Sequence, residues 1–465
     1  MRRKMRKMLG KLIGDKAFYR MVLAVALPIM MQNFITNLVS MLDNLMVGAL
    51  GTEQMSGVSI VNQLIFIFNL AVFGAFGGVG IFTAQFHGKG DAEGIRHTLR
   101  YKFVLAAGLF AAALAVFLTL GDSLIGLFLH DVDATGDIAA TLGFAREYLA
   151  VMLFGLLPFA LSQVFTSTLR ETGDTVMPMV TSIIAVVTNC VFNYLLIFGR
   201  LGFPALGVVG AAAATVLSRY VELAVVLNVI FLRRRKCAFF SGVFRGFRIP
   251  GELVWQITVK GMPLLINELF WSVGMSLLSM GYSLHGLSVV AGYSISSTVT
   301  NLFSIAFMSL GISIGIIIGR ELGAGRFERA VDWDWKLIAF SVAVSLAVGG
   351  ALFAGAELIP ALYNTNDLSK TYAAYFIRVS ACLMPVHAFA NSAYFTLRSG
   401  GKTVITFFFD GAFAVCIQVP AVFLAYLCGL SIWWVFPLVQ GLDIIKDVLG
   451  FVLLKKRAWV QNIVA

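Results

Sequence analysis

Charged residues are scarce in this sequence. Asp, Glu, Lys and Arg make up 13% of its 465 residues, whereas a soluble domain carries about a quarter. Hydrophobic residues account for 59%, and the mean hydropathy is +0.88. This balance excludes an ordinary soluble globular protein and indicates a polytopic membrane protein, because no segment between the apolar runs is long enough for a soluble domain.

Cysteine is also sparse, with five residues in the chain. Most of them fall inside predicted helices, at Cys190, Cys382, Cys416 and Cys428. This placement excludes a disulfide framework and suggests that they serve as small apolar side chains.

The N-terminal segment MRRKMRKMLGKLIGDK lacks the features of a signal peptide. It has no short apolar core followed by a cleavage site. Residues 1–20 are therefore predicted to be a retained, basic leader in the cytoplasm.

Apolar runs of roughly 20 residues, the length that crosses a bilayer as a helix, recur along the whole chain. They predict twelve transmembrane helices, at 22–48, 57–83, 101–121, 143–168, 176–198, 207–232, 255–284, 289–318, 336–358, 372–396, 406–428 and 432–454. With a cytoplasmic N-terminus, these spans place 29 of the 35 Lys and Arg residues on the cytoplasmic side. This positive-inside pattern explains the net charge of +11 without a nucleic-acid partner and predicts that both termini are cytoplasmic.

The two halves of the chain are related in sequence. When the sequence is shifted by 235 residues, Pro28 falls on Pro263. The same shift, without a gap, aligns a further set of identical residues: Gly51, Gly57, Ser59, Ile60, Gly80, Gly88, Gly90 and Glu93 with Gly286, Gly292, Ser294, Ile295, Gly315, Gly323, Gly325 and Glu328. A second block, LRETGDTV at 169–176, matches LRSGGKTV at 397–404. The chain is therefore an internal duplication with six spans in each half.

An even number of spans gives both halves the same orientation in the membrane, so an axis along the membrane normal should relate them, with a shared cavity between them. The predicted organisation is a leader at 1–20, an N-terminal lobe at 21–232, a cytoplasmic linker at 233–254 and a C-terminal lobe at 255–465. The predicted fold class is all-α, with twelve transmembrane helices in two pseudo-symmetric six-helix bundles. Alternating-access transporters have this architecture, and lipid flippases can use it too.

The first predicted helix has a polar face although it lies at membrane depth. Asp43 is the only charged residue between Arg20 and Glu53. Steps of three and four place further polar residues on its face: Gln32, Asn33, Thr36, Asn37, Ser40 and Asn44. Lipid satisfies no hydrogen bonds, so this stripe must meet water or polar partners. Similar stripes on the second, seventh and eighth helices favour a wet central cavity over simple polar contacts between helices.

Carboxylates inside membrane spans are functional candidates by default. Asp43 and Glu268, the only charged residue between Lys260 and Arg320, are predicted to bind the coupling ion or substrate. The structural alternative is a hydrogen bond to a neighbouring helix.

Asp410, Asp443 and Lys446 also lie within predicted spans of the C-terminal half. For these three residues, structural and functional roles are equally supported. Lys446 is expected to neutralise a neighbouring acid or to reach Glu268. His387 has no metal-ligand company, and no role is predicted for it.

Potential partners for Asp43 occur on the fifth and sixth helices. Asn189 and Asn193 are four residues apart and share a helix face, and Thr215 lies in a small-residue stretch of the sixth helix. A carboxylate, two amide carbonyls and a hydroxyl can form an oxygen cage for a hard cation such as Na⁺. The same residues can instead form a hydrogen-bond network around a protonated Asp43.

Together, these residues and motifs resemble the multidrug and toxic compound extrusion (MATE) family. The stretch ALPIMMQNFITNLVSMLDNLMVGALG has the early Pro, the later Asp, the V-G and the final Gly of that family's first helix. FHGKGDAEGIR and GRELGAGRFERA resemble its Gly-rich connections after spans two and eight. LRETGDTVMP and LRSGGKTV resemble its links between spans four and five and spans ten and eleven. The resemblance covers nearly the full chain.

The resemblance implies a bacterial inner-membrane antiporter that exports cationic amphipathic compounds in exchange for H⁺ or Na⁺. The residues that match the family's cation site in the N-terminal lobe, where Na⁺ would bind, are Asp43, Asn189, Asn193 and Thr215. Many members have Asp where Asn193 stands, and this departure removes one carboxylate from a two-acid Na⁺ site. Pro28 matches the proline at which the first helix bends, and Glu268 matches the acid of the seventh helix approximately.

The predicted cavity lining combines polar and apolar side chains: Gln32, Asn33, Asn37, Ser40, Asn62, Gln63, Trp271, Met275 and Asn301. Aromatic and Met side chains would supply nonselective apolar contact. The expected partners are small organic cations and membrane lipids, with the chain acting as a monomer and no cofactor besides the coupling ion.

Two alternatives to an antiporter remain. A flippase for lipid-linked precursors would need a basic cavity for a pyrophosphate, and the intramembrane Arg and Lys residues are too few to build one. A channel fits the twin-lobed organisation less well. No nucleophile–base constellation or cofactor motif indicates an enzyme.

Overall fold

The computed structural model describes residues 12–128, 137–234, 237–244 and 246–465, and within these residues all regular structure is helical. Most of the predicted leader, residues 1–11, and part of the predicted linker, residues 235, 236 and 245, lie outside the described residues. Six long helices occupy the N-terminal half: α1 Lys16–Gly48, α2 Thr52–Lys89, α3 Ala92–Gly126, α4 Ile138–Glu171, α5 Val176–Phe198 and α6 Gly207–Leu232.

The C-terminal half follows the same plan. It contains α7 Gly251–Ser283, α8 Leu287–Gly323, α9 Phe327–Ala354, α10 Asp367–Ser399, α11 Thr403–Leu427, α12a Ile432–Gly441 and α12b Asp443–Lys455. Eleven of the described helices, α1 to α11, are long and apolar enough to cross a bilayer. The twelfth predicted span exists as two shorter helices that meet at Leu442. The all-α fold with twelve membrane helices in two sets of six is confirmed.

Glycines at equivalent positions end equivalent helices in the two halves. Gly90 follows α2 with φ +79°, and Gly325 follows α8 with φ +71°. This left-handed backbone conformation strains residues that carry a Cβ, whereas glycine adopts it freely. The two residues are 235 positions apart in the sequence, so the internal repeat extends to the geometry of its turns.

By its internal contacts the chain divides into two compact units. The N-terminal unit contains Met31–Thr83 and Ala92–Trp255, and the C-terminal unit contains residues 12–30, Ala84–Asp91 and Gln256–Ala465. The start of α1 and the end of α2 thus belong to the C-terminal unit. The lobe boundaries expected from the sequence stay a prediction. One boundary between the units falls inside α1, two residues after Pro28.

In the N-terminal unit, α6 packs extensively against both α4 and α5. Lys102 of α3 is fully buried, and its ammonium group lies 2.6 Å from the Glu171 carboxylate at the end of α4. The linker packs onto this unit: Cys237 is buried against Phe165 and Leu169 of α4. A Lys inside protein needs such a carboxylate partner, because an unpaired buried charge is costly.

In the C-terminal unit, α10 is the central helix and packs against α8 and α9. Its buried face contributes Phe376, Ile377 and Met384 to two apolar clusters. One cluster continues onto α12a through Phe436, whose ring centroid lies 4.4 Å from that of Phe376. The apolar cores on both sides fix α10 in place and therefore fix the polar residues that it carries.

Within the C-terminal unit, the ends of α2 and α8 cross at two glycines. A Cβ on Gly88 would overlap the main-chain carbonyl of Arg320, and a Cβ on Gly323 would overlap that of Gln85. Gln85 and Arg320 are themselves 235 residues apart. The contact is therefore reciprocal, as expected where two related elements meet across a two-fold axis.

The segment after α12b packs beside this crossing. The fully buried Gln85 side chain donates hydrogen bonds to the main-chain carbonyls of Ser399, at 2.9 Å, and Gln461, at 3.2 Å. It also accepts one from the main-chain nitrogen of Ile463, at 2.8 Å. Trp459 is 1% exposed. Buried backbone groups without regular structure require such partners, so a single glutamine joins three separate stretches of chain.

Candidate functional site

Asp43 lies in the N-terminal unit among the polar side chains predicted from the sequence. Asn193 of α5 donates a hydrogen bond to Asp43 Oδ1 at 2.5 Å. Asn189 and Asn193 are buried, whereas Asp43 and Thr215 are half-buried. The i, i+4 spacing of the two asparagines places both on the face of α5 that meets Asp43.

The amide of Asn189 satisfies its neighbours with its nitrogen toward Asp43. In this orientation it donates to Asp43 Oδ1 at 2.9 Å and to Oδ2 at 3.0 Å, and its oxygen accepts from the Thr215 hydroxyl at 3.1 Å. The opposite orientation would point an amide oxygen at the carboxylate, acceptor against acceptor. Hydrogen-bond chemistry therefore selects the first one. All four residues of the predicted site contact one another in a chain from α1 through α5 to α6.

Asp43 is held by amides and not by an arginine. Arg219 of α6 acts on it electrostatically, but among the described residues its ion pair is with Glu222, at 3.5 Å. The Arg219 guanidinium also lies 4.8 Å from the centre of the Phe159 ring. Within the part of the chain that the structure describes, the Asp43 carboxylate therefore has no ion-pair partner, as suits a group that responds to a proton or a cation.

A second polar link joins α1 to the same unit eleven residues before Asp43. Gln32 donates to the Ser182 hydroxyl of α5 at 2.7 Å, and Ser182 donates to the Glu222 carboxylate of α6 at 3.4 Å. Glu222 is 3% exposed. Gln32, expected to line the cavity, thus contacts helix α5 directly, four residues beyond Pro28. Helix α1 continues through Pro28 without interruption.

The donor set around Asp43 fits Na⁺ only in part. A sodium ion needs several oxygen atoms that converge on one point. Here both asparagines turn nitrogen toward the carboxylate, and the Asn193 oxygen is buried without a hydrogen-bond partner. The residues have enough oxygens for a cation, yet both amides would have to rotate to present them. In the present arrangement they fit a hydrogen-bonded carboxylate better than a cation cage.

The other residues predicted to line a cavity differ in exposure. Those that are half-buried are Asn33, Asn62 and Trp271, and those that are exposed are Asn37, Ser40, Gln63, Met275 and Asn301. Two of them make hydrogen bonds of their own: Asn37 donates to the Asn33 carbonyl at 2.8 Å, and Asn62 accepts from Tyr148 at 3.2 Å. A shared cavity stays a prediction from the sequence.

In the C-terminal unit, three of the predicted charged residues form one cluster. The buried Lys446 ammonium lies 3.0 Å from Asp443 Oδ1 and 3.9 Å from Asp410 Oδ1. Gln418 donates to Asp443 Oδ1 at 3.0 Å, and Asn267 donates to Asp410 Oδ2 at 3.1 Å. Lys446 therefore neutralises neighbouring acids, the first of the two roles expected for it.

Glu268 stands apart from this cluster. It is half-buried, and no ion pair joins it to Lys446 in the part of the chain that the structure describes. The charged groups that act on it electrostatically are Arg398 of α10 and Asp410 of α11. The neighbouring Asn267, not Glu268, connects α7 to the charged cluster, because its side chain faces α11.

Three residues of these sites were given no role on the basis of the sequence. Tyr148 is buried, and its hydroxyl bonds Asn62 and faces Thr215. Asn267 donates to Asp410 and accepts from the main-chain nitrogen of Gly411 at 2.8 Å. His387 lies 3.4 Å from Asp443. Only His387 carried a signal, as an ionisable residue inside a predicted span; the other two are indistinguishable in sequence from ordinary helix contacts.

The sequence matches the MatE family over residues 28–195 and 263–426, once in each half. "Probable multidrug resistance protein NorM" of Thermotoga maritima is 27% identical over 397 residues, covering 83% of this chain and 82% of that protein. "Probable multidrug resistance protein YoeA" of Bacillus subtilis is 26% identical over 425 residues, covering 88% of each chain. "Multidrug resistance protein MdtK" of Edwardsiella ictaluri is 25% identical over 372 residues, covering 78% of each.

Solved structures share the fold. An outward-facing multidrug resistance MATE family transporter of the MOP superfamily superposes with a TM-score of 0.83 at 20% identity, covering 96% of this chain and 97% of that one. A mutant of the Vibrio cholerae MATE transporter VcmN gives 0.82 at 15% identity, covering 95% and 97%.

Two sets of six membrane helices, with a carboxylate tethered by amides inside the N-terminal unit, define a multi-pass membrane transport protein. The family match covers both repeats. The chain belongs to the MATE family.

Proposed function

We propose that this chain is a secondary active antiporter of the bacterial inner membrane that exports cationic amphipathic compounds in exchange for H⁺. The relatives named as multidrug resistance proteins support the class of substrate. Cytoplasmic termini and a monomeric state, expected from the sequence, are part of the proposal. A basic cavity, which a flippase for lipid pyrophosphates would need, has no support in the N-terminal unit, where Arg219 and Glu222 are paired with each other.

The observation that carries the proposal is the amide-held carboxylate of Asp43. Ionised, Asp43 accepts hydrogen bonds from Asn189 and Asn193. Protonated, it becomes a donor and needs an acceptor. A half-turn of the Asn193 amide supplies one, since its oxygen is otherwise buried and unpartnered. Protonation therefore changes the hydrogen bonds between α1 and α5 and gives the two ionic states different structures.

The proton is favoured over Na⁺ as the coupling ion for the same reason. One proton needs only one acceptor beside Asp43, and Asn193 lies within reach. A sodium ion needs both amides to turn. In addition, Asn193 puts a neutral amide in place of one of the two carboxylates that a two-acid site would offer. Na⁺ coupling is the alternative that the experiment below decides.

Pro28 supplies a point at which α1 can respond. Proline donates no main-chain hydrogen bond, which weakens a helix locally, and the boundary between the two compact units falls two residues later. Beyond this point α1 is held to the N-terminal unit by the hydrogen bond that Gln32 donates to Ser182 and by the one that Asp43 accepts from Asn193. We propose that proton binding at Asp43 loosens the outer of these two tethers, so that α1 bends at Pro28 and the substrate is released outside.

A one-for-one exchange of H⁺ for a singly charged cation moves no net charge, so the pH gradient drives it. Each pH unit of gradient supplies about 1.4 kcal/mol, which supports a concentration ratio of about tenfold. An exchange of two H⁺ for one such cation would add the membrane potential, which is worth about 2.3 kcal/mol per charge at about 100 mV.

The test is transport of a fluorescent organic cation in proteoliposomes under an imposed H⁺ or Na⁺ gradient. We expect a pH gradient alone to drive transport by the wild type, and Asp43→Asn to lower the rate at least about tenfold. Asp122→Asn is the matched control, because Asp122 is an exposed acid paired with Arg146. Wild-type rates in Asp43→Asn would overturn the proposal. Transport driven by a Na⁺ gradient alone would show that Na⁺, and not the proton, is the coupling ion.

A further inference from the structure

Two irregular helices meet at the charged cluster of the C-terminal unit. Helix α11 is interrupted at Asp410, whose φ of −123° and ψ of −79° are not helical, and continues through a π-helical turn at Ala414–Gln418. Helix α12 is divided at Leu442, which keeps helical angles (φ −58°, ψ −24°), and Asp443 is the first residue of α12b. Interrupted helices at membrane depth place main-chain polar groups beside ion sites in transporters. Both interruptions lie beside a carboxylate that contacts Lys446.

His387 of α10 faces the side of Asp443 that Lys446 leaves open. Its Nε2 atom lies 3.4 Å from Asp443 Oδ2, whereas Lys446 and Gln418 approach Oδ1. This Nε2 is buried and has no hydrogen-bond partner. The imidazole ring also interacts with the main chain of Gln440. The position of the ring is therefore fixed, while the atom closest to the carboxylate is unsatisfied.

The contact lacks one proton. A neutral imidazole that presents a lone pair at Nε2 opposes the lone pairs of Oδ2, acceptor against acceptor. A proton on Nε2 turns the same contact into a charge-assisted hydrogen bond, which is roughly twice as strong as a neutral one. The 3.4 Å separation closes to bonding distance with a small rotation of the Asp443 carboxylate.

The groups around this pair favour a further positive charge. The Lys446 ammonium faces two carboxyl groups, those of Asp443 at 3.0 Å and Asp410 at 3.9 Å. A protonated His387 supplies the second positive charge. Asp447, one turn further along α12b, also acts on Lys446. The charged groups that act on His387 itself, Asp443 and Lys446, both come from α12b, and none comes from the described parts of α8 and α9 that pack against α10.

We infer that His387 and Asp443 form a second proton-binding site, separate from Asp43, in which a proton held between Nε2 and Oδ2 competes with Lys446 for Asp443. When the proton binds from water, Asp443 turns toward His387 and Lys446 moves toward Asp410, now 3.9 Å away. When it leaves, Lys446 returns to Asp443. Because Asp410 and Asp443 stand at the two helix breaks, this exchange connects proton binding to the geometry of α11 and α12.

The existence of this site does not depend on antiport; only its role in transport rests on the proposed function. The direct test is nitrogen NMR of the full-length protein with labelled histidine, titrated from about pH 5 to 9. The signal that disappears in His387→Gln should titrate, and Asp443→Asn should shift its midpoint by about one pH unit or more, as expected for coupled groups. His285→Gln is the control, because His285 lies by the Leu430 carbonyl at 3.3 Å. A His387 signal that keeps one protonation state throughout would overturn the inference.

The transport assay separates this inference from the proposed function. We expect His387→Gln to keep gradient-driven transport but to move the pH of half-maximal rate by about one unit. Asp43→Asn should lower the transport rate at least about tenfold and leave the His387 titration intact. If the His387 signal of the wild type does not titrate while transport still depends on Asp43, only the second site is rejected. A normal titration without proton-driven transport would reject only the antiport proposal.

Discussion

The side-chain amide of Asn193 lies 2.5 Å from a carboxylate oxygen of Asp43, although 150 residues separate the two in sequence. The contact joins the first helix of the N-terminal half to the fifth and places a neutral amide beside the carboxylate. The identity of this one side chain therefore determines how much negative charge the site holds.

Asn193→Asp should change the ion that the transporter uses. A second carboxylate so close to Asp43 raises the local negative charge. It also supplies the oxygen ligands that hard cations such as Na⁺ prefer. We expect the variant to gain transport driven by a Na⁺ gradient, measured in proteoliposomes at constant pH. Asn228→Asp, which adds a carboxylate at an exposed position of α6, should not. Equal Na⁺ response in both variants would show that bulk charge, and not the site, is responsible.

Lys102→Met should strongly destabilise the N-terminal unit. Lys102 is 0% exposed at 2.6 Å from Glu171, and removal of one partner leaves the other buried and unpaired, a loss of about 3–5 kcal/mol. The melting temperature in detergent should fall by several degrees. The double variant Lys102→Met with Glu171→Leu should recover much of the loss.

The control for this pair is Arg146→Met, which removes an ion pair with Asp122 on the protein surface. We expect no measurable change in its melting temperature, because exposed pairs contribute little. If Lys102→Met melts like Arg146→Met, the buried pair does not stabilise the fold.

Gly323→Ala should disrupt the crossing of α2 and α8. The added methyl group would overlap the Gln85 carbonyl, and such overpacking costs about 1–3 kcal/mol. Gly350→Ala of α9 is the matched control, because a Cβ there meets nothing within 4 Å. It should be neutral or raise the stability by about 0.5–1 kcal/mol, since alanine favours helix. The melting temperatures of Gly323→Ala and Gly350→Ala are compared by thermal unfolding. Equal melting temperatures would show that the close contact of α2 and α8 at Gly323 does not contribute to stability.

Much of the fold follows from local composition. Long apolar runs specify membrane helices because lipid allows a chain to satisfy its backbone only within such elements. The twelfth helix was predicted as one segment, yet it is interrupted at Leu442. Hydropathy could not reveal this break, because IWWVFPLVQG and DIIKDVLGFVLLK are both apolar enough to continue a span. The Asp43 group was also predicted from the sequence, since Asp43 lies on a polar stripe of α1, Asn189 and Asn193 share one face of α5, and the resemblance to the MATE family implied all four residues including Thr215.

The sequence alone determined the number of membrane helices, the internal repeat and the position of Asp43, because each rests on patterns within one helix or on comparison of one half with the other. Only the tertiary structure decided which polar atoms meet. Asn267 rather than Glu268 reaches Asp410, Lys446 pairs with Asp443, and the His387 ring comes to face the same carboxylate. These contacts join helices far apart in the chain, and they depend on the rotation of each helix about its axis, which the packing of all its neighbours sets.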